Sequence, residues 1–386
     1  MTPDNGLQSI LDFCLREQPW LVETLETLVR LESPSTDKSA LDHCGEELER
    51  HLRAMGARVT RLEREKAGDH LRAEFGGGPG QVLILSHFDT VWPVGQLDRM
   101  PLRLEAGCLY GPGVYDMKGG IAIALLAIRA LQAVAPARLP HLVMLATTDE
   151  EIGSLTSREA IEDEARRSNA VLVMEPSGPD SGHLKTARKG CAAYELRVQG
   201  IAAHSGEPHK GVSAVLELAD QLLAIERLGD MGREVTITAC MAGGGARANI
   251  VPDGAWALLD ARVPRIEDAA VVEEALRALR PQRAGARLAI SGGVERPPLE
   301  RTPAVIRLFE MARSVGAEIG LDIREGASGG VSDGNFTAAL GVPTLDGLGA
   351  VGAAAHAVNE HVQVGALAPR AALVAGLLDR LALAAP

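Results

Sequence analysis

The sequence predicts an α/β protein, with a mixed, mainly parallel β-sheet that carries helices on both faces, and an inserted α+β domain. Its 386 residues exceed the roughly 250–300 at which a single hydrophobic core stops growing, so two domains are expected. Apolar runs of strand length alternate with helical patterns, as in a sheet buried on both faces. From residue 182 to 297 the strands instead alternate apolar and polar residues, which is typical of a sheet covered on one face.

The elements before the insertion follow from these patterns. Residues 9–31 predict one or two amphipathic helices, and residues 38–55 predict a third helix that Gly56 caps. A helix is also expected over 121–133. The predicted strands are 58–62, 71–75, a buried strand from residue 82, 141–148 and 170–174.

The predicted domains are 1–181, the first part of the larger α/β domain, 182–297, the inserted domain, and 298–386, the second part of the α/β domain. After Pro297 and Pro298 the sequence returns to the pattern of helices and buried strands seen before the insertion. The last part contains helices over 304–315 and from about 367. Inside the insertion we expect strands 192–198, 235–239 and 256–263, and helices 212–227 and 266–279.

The most informative segment is 82–91, VLILSHFDTV, in which a buried strand leads directly into His87. Ligands of α/β proteins collect just beyond the carboxyl ends of such strands. In an extended segment, residues two positions apart point to the same side. Asp89 therefore lies where it could accept the second ring N–H of His87 and fix the orientation of a metal-bound imidazole.

Four acidic residues and a second histidine are further candidates for the same site, and three of the acidic residues follow predicted strands. Glu150 and Glu151 follow the strand 141–148, and Glu175 follows the strand 170–174. Asp116 lies in a glycine-rich segment, LYGPGVYDMKGG, and His356 lies near the C-terminus. That segment lacks the glycine spacing of phosphate-binding loops, which argues against nucleotide binding.

Two imidazoles and four carboxylates suit zinc, with cobalt or manganese as alternatives, and the lack of thiolate ligands argues against a structural zinc site. Six groups exceed the needs of one ion, whereas two ions bridged by one carboxylate would use five of them and leave one free. Within the Glu150–Glu151 doublet, one carboxylate would bind metal and the other would transfer protons. The pattern thus predicts two-metal hydrolysis.

Composition narrows the partners and the location. The net charge of −12, without a basic run, argues against nucleic-acid and anionic-membrane partners. Five scattered cysteines without a Cys-x-x-Cys pair suit a reducing compartment. With Asp4 and Gln8 near the start and no apolar run approaching about 18 residues, neither a signal peptide nor a membrane span is expected. We therefore expect a cytoplasmic protein.

Six segments together resemble the M20 metallopeptidases, in particular their glutamate carboxypeptidase branch. They are SHFDTV, GPGVYDMKGG, TDEEIGS, VMEP, GIAAHSGEPHKGVSA and AAHAVNEHV. The resemblance covers nearly the whole chain in order. It implies a zinc-peptidase-like catalytic domain, a lid and dimerisation domain in the insertion, and a homodimer formed through that lid.

The resemblance also implies a role for each site residue. His87, Asp116 and Glu175 would bind one zinc ion, and Asp116, Glu151 and His356 the other, with Asp116 as the bridge. Glu150 would be the general base, Asp89 would support His87, and the Asp116–Met117 peptide bond would be cis. His204 would reach the partner subunit's site and stabilise the oxyanion. The residues implied in substrate binding are Asn249, Arg262, Gly329, Gly330 and Ser332.

The resemblance implies a hydrolase that releases a C-terminal amino acid from a short peptide or an N-acyl amino acid. The basic residues that would select glutamate differ from the family pattern: His183 replaces a lysine, and Arg296 lies beside an arginine position. Lys185, Arg188 and Lys189 are nearby alternatives. The first rival function is an acetylornithine or succinyl-diaminopimelate deacylase. The second is a non-catalytic metal-binding scaffold, against which the presence of Glu150 argues.

Overall fold

The computed structural model describes residues 6–77, 80–230 and 232–384, so Asp4 lies outside the described residues. The chain divides into two compact units. We call the first the catalytic unit; it contains the described residues up to Thr186, Arg301–Ser328, and the residues from Ser332 onwards. The second, the inserted unit, contains Ala187–Glu300 and Gly329–Val331. The predicted boundaries, 181/182 and 297/298, each fall a few residues before the observed ones.

Up to the strand that leads into the inserted unit, the described residues contain five α-helices and eight strands. The helices are α1 (Gly6–Arg16), α2 (Gln18–Arg30), α3 (Lys38–Ala54), α4 (Gly119–Val134) and α5 (Arg158–Arg166). The strands are β1 (Arg58–Leu62), β2 (His70–Phe75), β3 (Gln81–His87), β4 (Arg103–Glu105), β5 (Cys108–Tyr110), β6 (His141–Thr147), β7 (Ser168–Val173) and β8 (Leu184–Arg188). Gly56 follows α3 with a left-handed φ of 83°, the conformation expected of its capping role.

The inserted unit contains a four-stranded antiparallel sheet in the order β11-β13-β9-β14. Its elements are β9 (Gly190–Gln199), β10 (Ala203–His204), α6 (Ala214–Glu226), β11 (Thr236–Gly244), β12 (Ile250–Val251), β13 (Gly254–Val263), α7 (Ile266–Arg277) and β14 (Arg287–Arg296). Burial alternates along β13, as predicted for a one-sided sheet: Leu259 and Val263 pack with residues of α6 and α7, while Leu258 and Arg262 lie on the opposite face.

After the insertion the chain returns to the catalytic unit. The elements there are α8 (Pro303–Glu318), β15 (Glu325–Ser328), α9 (Gly334–Ala339), β16 (Thr344–Leu345), β17 (Gly352–Ala353), β18 (His361–Gln363) and α10 (Val364–Ala384). A small antiparallel sheet, β17-β18-β5-β4, lies next to the segment that carries His356.

The central sheet of the catalytic unit has the order β1-β2-β6-β3-β7-β16. The four strands from β6 to β16 are mutually parallel, and β1 and β2 continue the sheet in antiparallel pairing. Strand β3 is buried along its whole length because it lies between β6 and β7. The predicted α/β class and the predicted mainly parallel sheet are therefore confirmed.

Helix α4 corrects the expectation that no apolar run approaches the length of a membrane span. The segment Val114–Val134 is long and apolar enough to cross a membrane by composition alone. However, 78% of its most apolar window is buried inside the structure, where α4 packs against α1, α2 and α10. The apolar composition of α4 thus reflects its place in the protein core.

Candidate metal centre

Parallel pairing brings the predicted ligands to one edge of the central sheet. His87 is the last residue of β3 and lies opposite Thr147, the last residue of β6. The chain beyond Thr147 turns through Glu150 and Glu151. Strand β7 pairs with β3 on the other side and leads to Glu175. Three strands thus deliver one imidazole and three carboxylates to the same carboxyl edge.

The first group of donors surrounds the buried ring of His87. Its Nε2 atom lies 3.4 Å from Asp116 Oδ1 and 3.5 Å from Glu175 Oε1. Both His87 Nε2 and Asp116 Oδ1 are buried, and neither has a hydrogen-bond partner among the described residues. Buried polar atoms are normally satisfied, so convergent nitrogen and oxygen donors without partners fit a cation between them.

The second group forms around His356. Its Nε2 atom lies 3.2 Å from Glu151 Oε1 and 3.5 Å from Asp116 Oδ2. The two oxygens of Asp116 therefore face different imidazoles, Oδ1 facing His87 and Oδ2 facing His356. The ligand atoms of His87, Asp116 and Glu151 also lie within 4.8 Å of one another. This cluster of imidazoles and carboxylates is a candidate metal-binding site.

Glu150 and Glu151 differ in their surroundings. Glu150 offers an oxygen within 4.8 Å of ligand atoms of both His87 and Glu175, so proximity alone does not separate a ligand from a base. The side chain of Glu151 is 7% exposed, and its Oε1 atom lies 3.2 Å from His356 Nε2. The turn that carries both residues is held by Asp149, whose Oδ2 accepts hydrogen bonds from the backbone N–H and the hydroxyl of Thr156.

Asp89 connects His87 to the Glu150–Glu151 doublet. The Nδ1 atom of His87 lies 3.3 Å from Asp89 Oδ1 and 3.1 Å from the Asp89 backbone oxygen. The carboxylate of Asp89 also accepts the backbone N–H groups of Glu150, at 3.3 Å, and Glu151, at 3.1 Å. The hydroxyl of Ser35 donates a further bond to it. One carboxylate thus fixes both the imidazole and the acidic turn, a second task that the sequence pattern did not indicate.

The electrostatics of the cluster are dominated by its carboxylates. Hydrogen bonds to Asp116 and Glu151 raise the pKa of His356 to about 10. Burial opposes protonation of His87, but its contacts with Asp116, Asp89 and Glu175 raise its pKa well above the usual value. Burial and the nearby Asp116 charge raise the pKa of Glu151. The site therefore holds an excess of negative charge that attracts cations.

The segment bearing Asp116 has an unusual backbone, since the Asp116–Met117 peptide bond is cis. The buried carboxylate of Glu360 accepts the backbone N–H groups of Tyr115 and Asp116 in this segment. Glu360 belongs to the segment AAHAVNEHV, but the sequence pattern did not single it out. The backbone N–H of His87 donates to Met117 Sδ at 3.3 Å, so the strand end and this segment are also joined directly.

His204 and Asn249 lie together in the inserted unit. Strands β10 and β12 pair so that His204 is opposite Ile250, and the Ser205 N–H donates to the Asn249 carbonyl oxygen. The imidazole of His204 is exposed, and its Nδ1 accepts the Gly206 N–H at 3.0 Å. The proton of the neutral ring is therefore assigned to Nε2, which leaves that atom a hydrogen-bond donor.

The other residues implied in substrate binding are distributed over both units. Arg262, in the inserted unit, forms a two-point ion pair with Asp260, at 2.7 and 2.9 Å. Gly329 and Gly330 belong to the same unit. Ser332 belongs to the catalytic unit and is fully buried; its N–H donates to Asn335 Oδ1 and its hydroxyl to Asp346 Oδ2. Both of its donors are therefore engaged within the protein, and its part in substrate binding stays a prediction.

The basic residues considered for glutamate recognition are largely engaged. Arg188 is buried and donates to the carbonyl oxygens of Gly330 and Val331. The Lys189 ammonium group donates to the Glu234 carbonyl oxygen. Of the three other basic residues, Lys185 and Arg296 are buried. The Nδ1 atom of His183 lies 2.7 Å from the Ser181 hydroxyl.

The sequence is similar to known peptidases and deacylases over most of its length. Residues 83–380 match the pattern of peptidase family M20/M25/M40. The chain is 31% identical to carboxypeptidase G2 from Pseudomonas sp. strain RS-16, over 94% of this chain and 89% of that protein. It is also 30% identical to a succinyl-diaminopimelate desuccinylase from Xanthomonas oryzae pv. oryzae, over 81% of this chain and 87% of that protein.

Solved structures share the fold. Aminopeptidase PepT from Bacillus cereus superimposes with a TM-score of 0.78 and 25% identity, covering 95% of this chain and 99% of that one. The M20 family metallo-carboxypeptidase Sso-CP2 from Sulfolobus solfataricus gives a TM-score of 0.71 and 21% identity, covering 94% of this chain and 99% of that one. Both likenesses extend over nearly the whole chain.

Proposed function

Because this chain belongs to peptidase family M20/M25/M40 and is a hydrolase, we propose that it is a di-zinc amidohydrolase. It would cleave an amide bond next to a free carboxylate and release a C-terminal amino acid from a short peptide or an N-acyl amino acid. The observation that carries the proposal is the position of Asp116 between two imidazoles, with one oxygen toward His87 and the other toward His356.

The residues present fit a pair of metal ions. His87, Asp116 and Glu175 would hold one ion, and Asp116, Glu151 and His356 the other. The nitrogen and oxygen donors suit zinc, and cobalt or manganese could take the same places. When bound, two such ions would supply Lewis-acid activation of water and polarisation of the substrate carbonyl. Asp89 would hold the ring of His87 in the orientation that presents Nε2 to the ion.

Glu150 is assigned as the general base. Its carboxylate lies near His87 and Glu175. It would accept a proton from the attacking water and then deliver that proton to the leaving nitrogen, as a positioned carboxylate can do. Glu151 is kept as the metal ligand because of its enclosed side chain and its contact with His356. Asp89 would set the position of both glutamates through their backbone N–H groups.

The inserted unit would act as a lid and a dimerisation surface. Strand β11 is an edge of its sheet, and Leu216 and Leu223 on α6 are more than half exposed, as is Met241 on β11. Exposed strand edges and apolar side chains favour pairing with a second copy. We propose that pairing brings His204 to the partner's metal centre, where its Nε2–H would stabilise the oxyanion.

Arg262, Asn249, Gly329 and Gly330 are proposed to bind the carboxylate end of the substrate. Arg262 remains suited to this because a guanidinium carries five N–H donors, of which Asp260 engages two. The expected partners are therefore small peptides or N-acyl amino acids. The five free cysteines support a reducing, cytoplasmic location.

The test of this function is a substrate panel with zinc-loaded protein. We expect release of the C-terminal amino acid from peptidyl or N-acyl substrates. Converting the free carboxylate to an amide should lower kcat/KM by about 10²-fold or more, because the basic site would lose its charged partner. Equal turnover of the blocked and free substrates would contradict carboxylate recognition.

The second candidate function is a deacylase of the acetylornithine or succinyl-diaminopimelate type. It is supported by the identity to the desuccinylase, which extends over most of both chains. The same panel separates the two functions. A carboxypeptidase should prefer folyl or peptidyl glutamate, whereas a deacylase should prefer N-acetyl or N-succinyl amino acids with a second amino group.

A further inference from the structure

Glu360 is a fully buried acid that accepts an unusual number of hydrogen bonds. Its Oε1 atom accepts the backbone N–H groups of Tyr115, at 2.9 Å, and Asp116, at 3.0 Å. Its Oε2 atom accepts the Gly113 N–H at 3.0 Å and the Trp92 indole N–H at 2.9 Å. In addition, its own carbonyl oxygen accepts the Gly111 N–H at 3.3 Å.

These bonds join three segments, and each segment carries a residue of the metal centre. Trp92 lies in the segment that leaves β3 after His87. Gly113 and Tyr115 belong to the segment that presents Asp116. Glu360 itself follows His356 by four residues, and its N–H closes a turn onto the Ala357 carbonyl oxygen. One carboxylate therefore binds the backbone of the Asp116 segment and the Trp92 side chain, and it belongs to the segment that carries His356.

We infer that Glu360 is the positioning residue of the metal centre, which holds Asp116 at the place where its two oxygens face His87 and His356. This inference rests on the proposed function, since it takes Asp116 as the shared ligand. The described hydrogen bonds of the Glu360 carboxylate go to neither imidazole, and it acts through the backbone of the Asp116 segment. The dinuclear site would then depend on a residue that binds no metal itself.

The chemistry of the contacts requires a carboxylate at this position. An ionised carboxyl group is an acceptor at both oxygens, and here each oxygen receives two N–H donors. Glutamine has nearly the same shape but offers one oxygen and one NH₂ group. In either orientation the NH₂ group would meet two N–H donors, from Tyr115 and Asp116 or from Gly113 and Trp92. Glu360→Gln should therefore release one pair of these bonds and leave the other.

The inserted unit offers a matched control. Glu217 is also fully buried, and its carboxylate accepts the backbone N–H groups of Gln282 and Arg283 and the side-chain amide of Gln221. Glu217→Gln should thus disturb a comparable buried network. However, Glu217 lies in the unit that contains none of the proposed metal ligands. If Glu360 contributed only to the stability of the protein, Glu360→Gln and Glu217→Gln should have similar effects.

The experiment compares the parent, Glu360→Gln and Glu217→Gln in three measurements. Zinc affinity is determined by competition with a chromophoric chelator, hydrogen exchange of residues 113–116 is measured in zinc-free protein, and kcat and KM are measured after zinc loading. Glu360→Gln should weaken zinc binding by about 10–100-fold, a range typical for loss of a group that orients a ligand. It should also speed hydrogen exchange at these amides. The factor by which kcat falls should be larger than the factor by which KM changes. Glu217→Gln should match the parent in zinc affinity and in the exchange of these amides.

Parent-like zinc affinity and exchange in Glu360→Gln would overturn the inference while leaving the proposed function intact. A parent protein that binds no zinc would instead refute the proposed function. If Glu360→Gln does not fold, Trp92→Phe removes only the indole donor and should give a smaller loss of zinc affinity in the same direction. Unchanged affinity in a folded Trp92→Phe protein would likewise overturn the inference.

Discussion

Glu150→Gln is expected to lower kcat by about 10²–10⁴-fold while the metal content stays at the parental value. Glutamine retains the size and the hydrogen-bonding capacity of the side chain but cannot accept the proton from the attacking water. Steady-state kinetics together with elemental analysis of the same samples would check both halves of this expectation.

Two further variants make the result specific. Glu159→Gln changes an exposed acid on α5 in the same unit and should leave kcat unchanged. Glu151→Gln removes the enclosed carboxylate beside His356 and should lower the metal content itself. If Glu150→Gln lost metal while Glu151→Gln kept it, the roles of the two glutamates would be the reverse of those proposed.

His204→Ala is expected to lower kcat by about 10²–10³-fold with little change in metal content. The Nε2–H of His204 would donate to the oxyanion in the transition state, and loss of one such donor typically has this effect. His209→Ala is the matched control, because His209 is another exposed histidine of the same unit without a proposed role. Kinetics of both variants would separate a specific donor from a general effect on the lid.

The same variant tests whether the site is shared between subunits. A mixture of His204→Ala and Glu150→Gln chains should regain part of the activity, since a mixed dimer contains one site with Glu150 and a His204 from the partner. Subunit exchange must be demonstrated in the same sample. If activity never returns although exchange takes place, each chain completes its own site.

The place of the candidate metal centre in the fold could be predicted because buried strands have a strong sequence signal. Strand β3 is a continuous apolar run. Because neighbouring parallel strands run in the same direction, its carboxyl end lies beside those of β6 and β7. His87, Glu150, Glu151 and Glu175 follow directly from these ends. Asp116 and His356 lie on irregular segments; their residue types suggested that they bind metal, and the resemblance to the metallopeptidases implied which ion each would bind.

The remaining features depend on contacts that no local pattern encodes. Strand β14 was not predicted, because Gly292 and Gly293 interrupt its alternation. Glu360 resembles any surface acid in the sequence, and only the fold gives it four N–H donors from two other segments. The hydrogen bonds of Ser332 to Asn335 and Asp346 likewise depend on the fold and not on a local pattern. Long-range hydrogen bonding, rather than propensity, determines these roles.

Anomalous scattering from crystals of the zinc-loaded protein tests most directly the proposal that Asp116 bridges two metal ions. We predict two zinc peaks in each chain, one next to His87 and Glu175 and one next to Glu151 and His356, with Asp116 between them. A single zinc peak in fully loaded protein, or two peaks that do not share Asp116, would contradict the account.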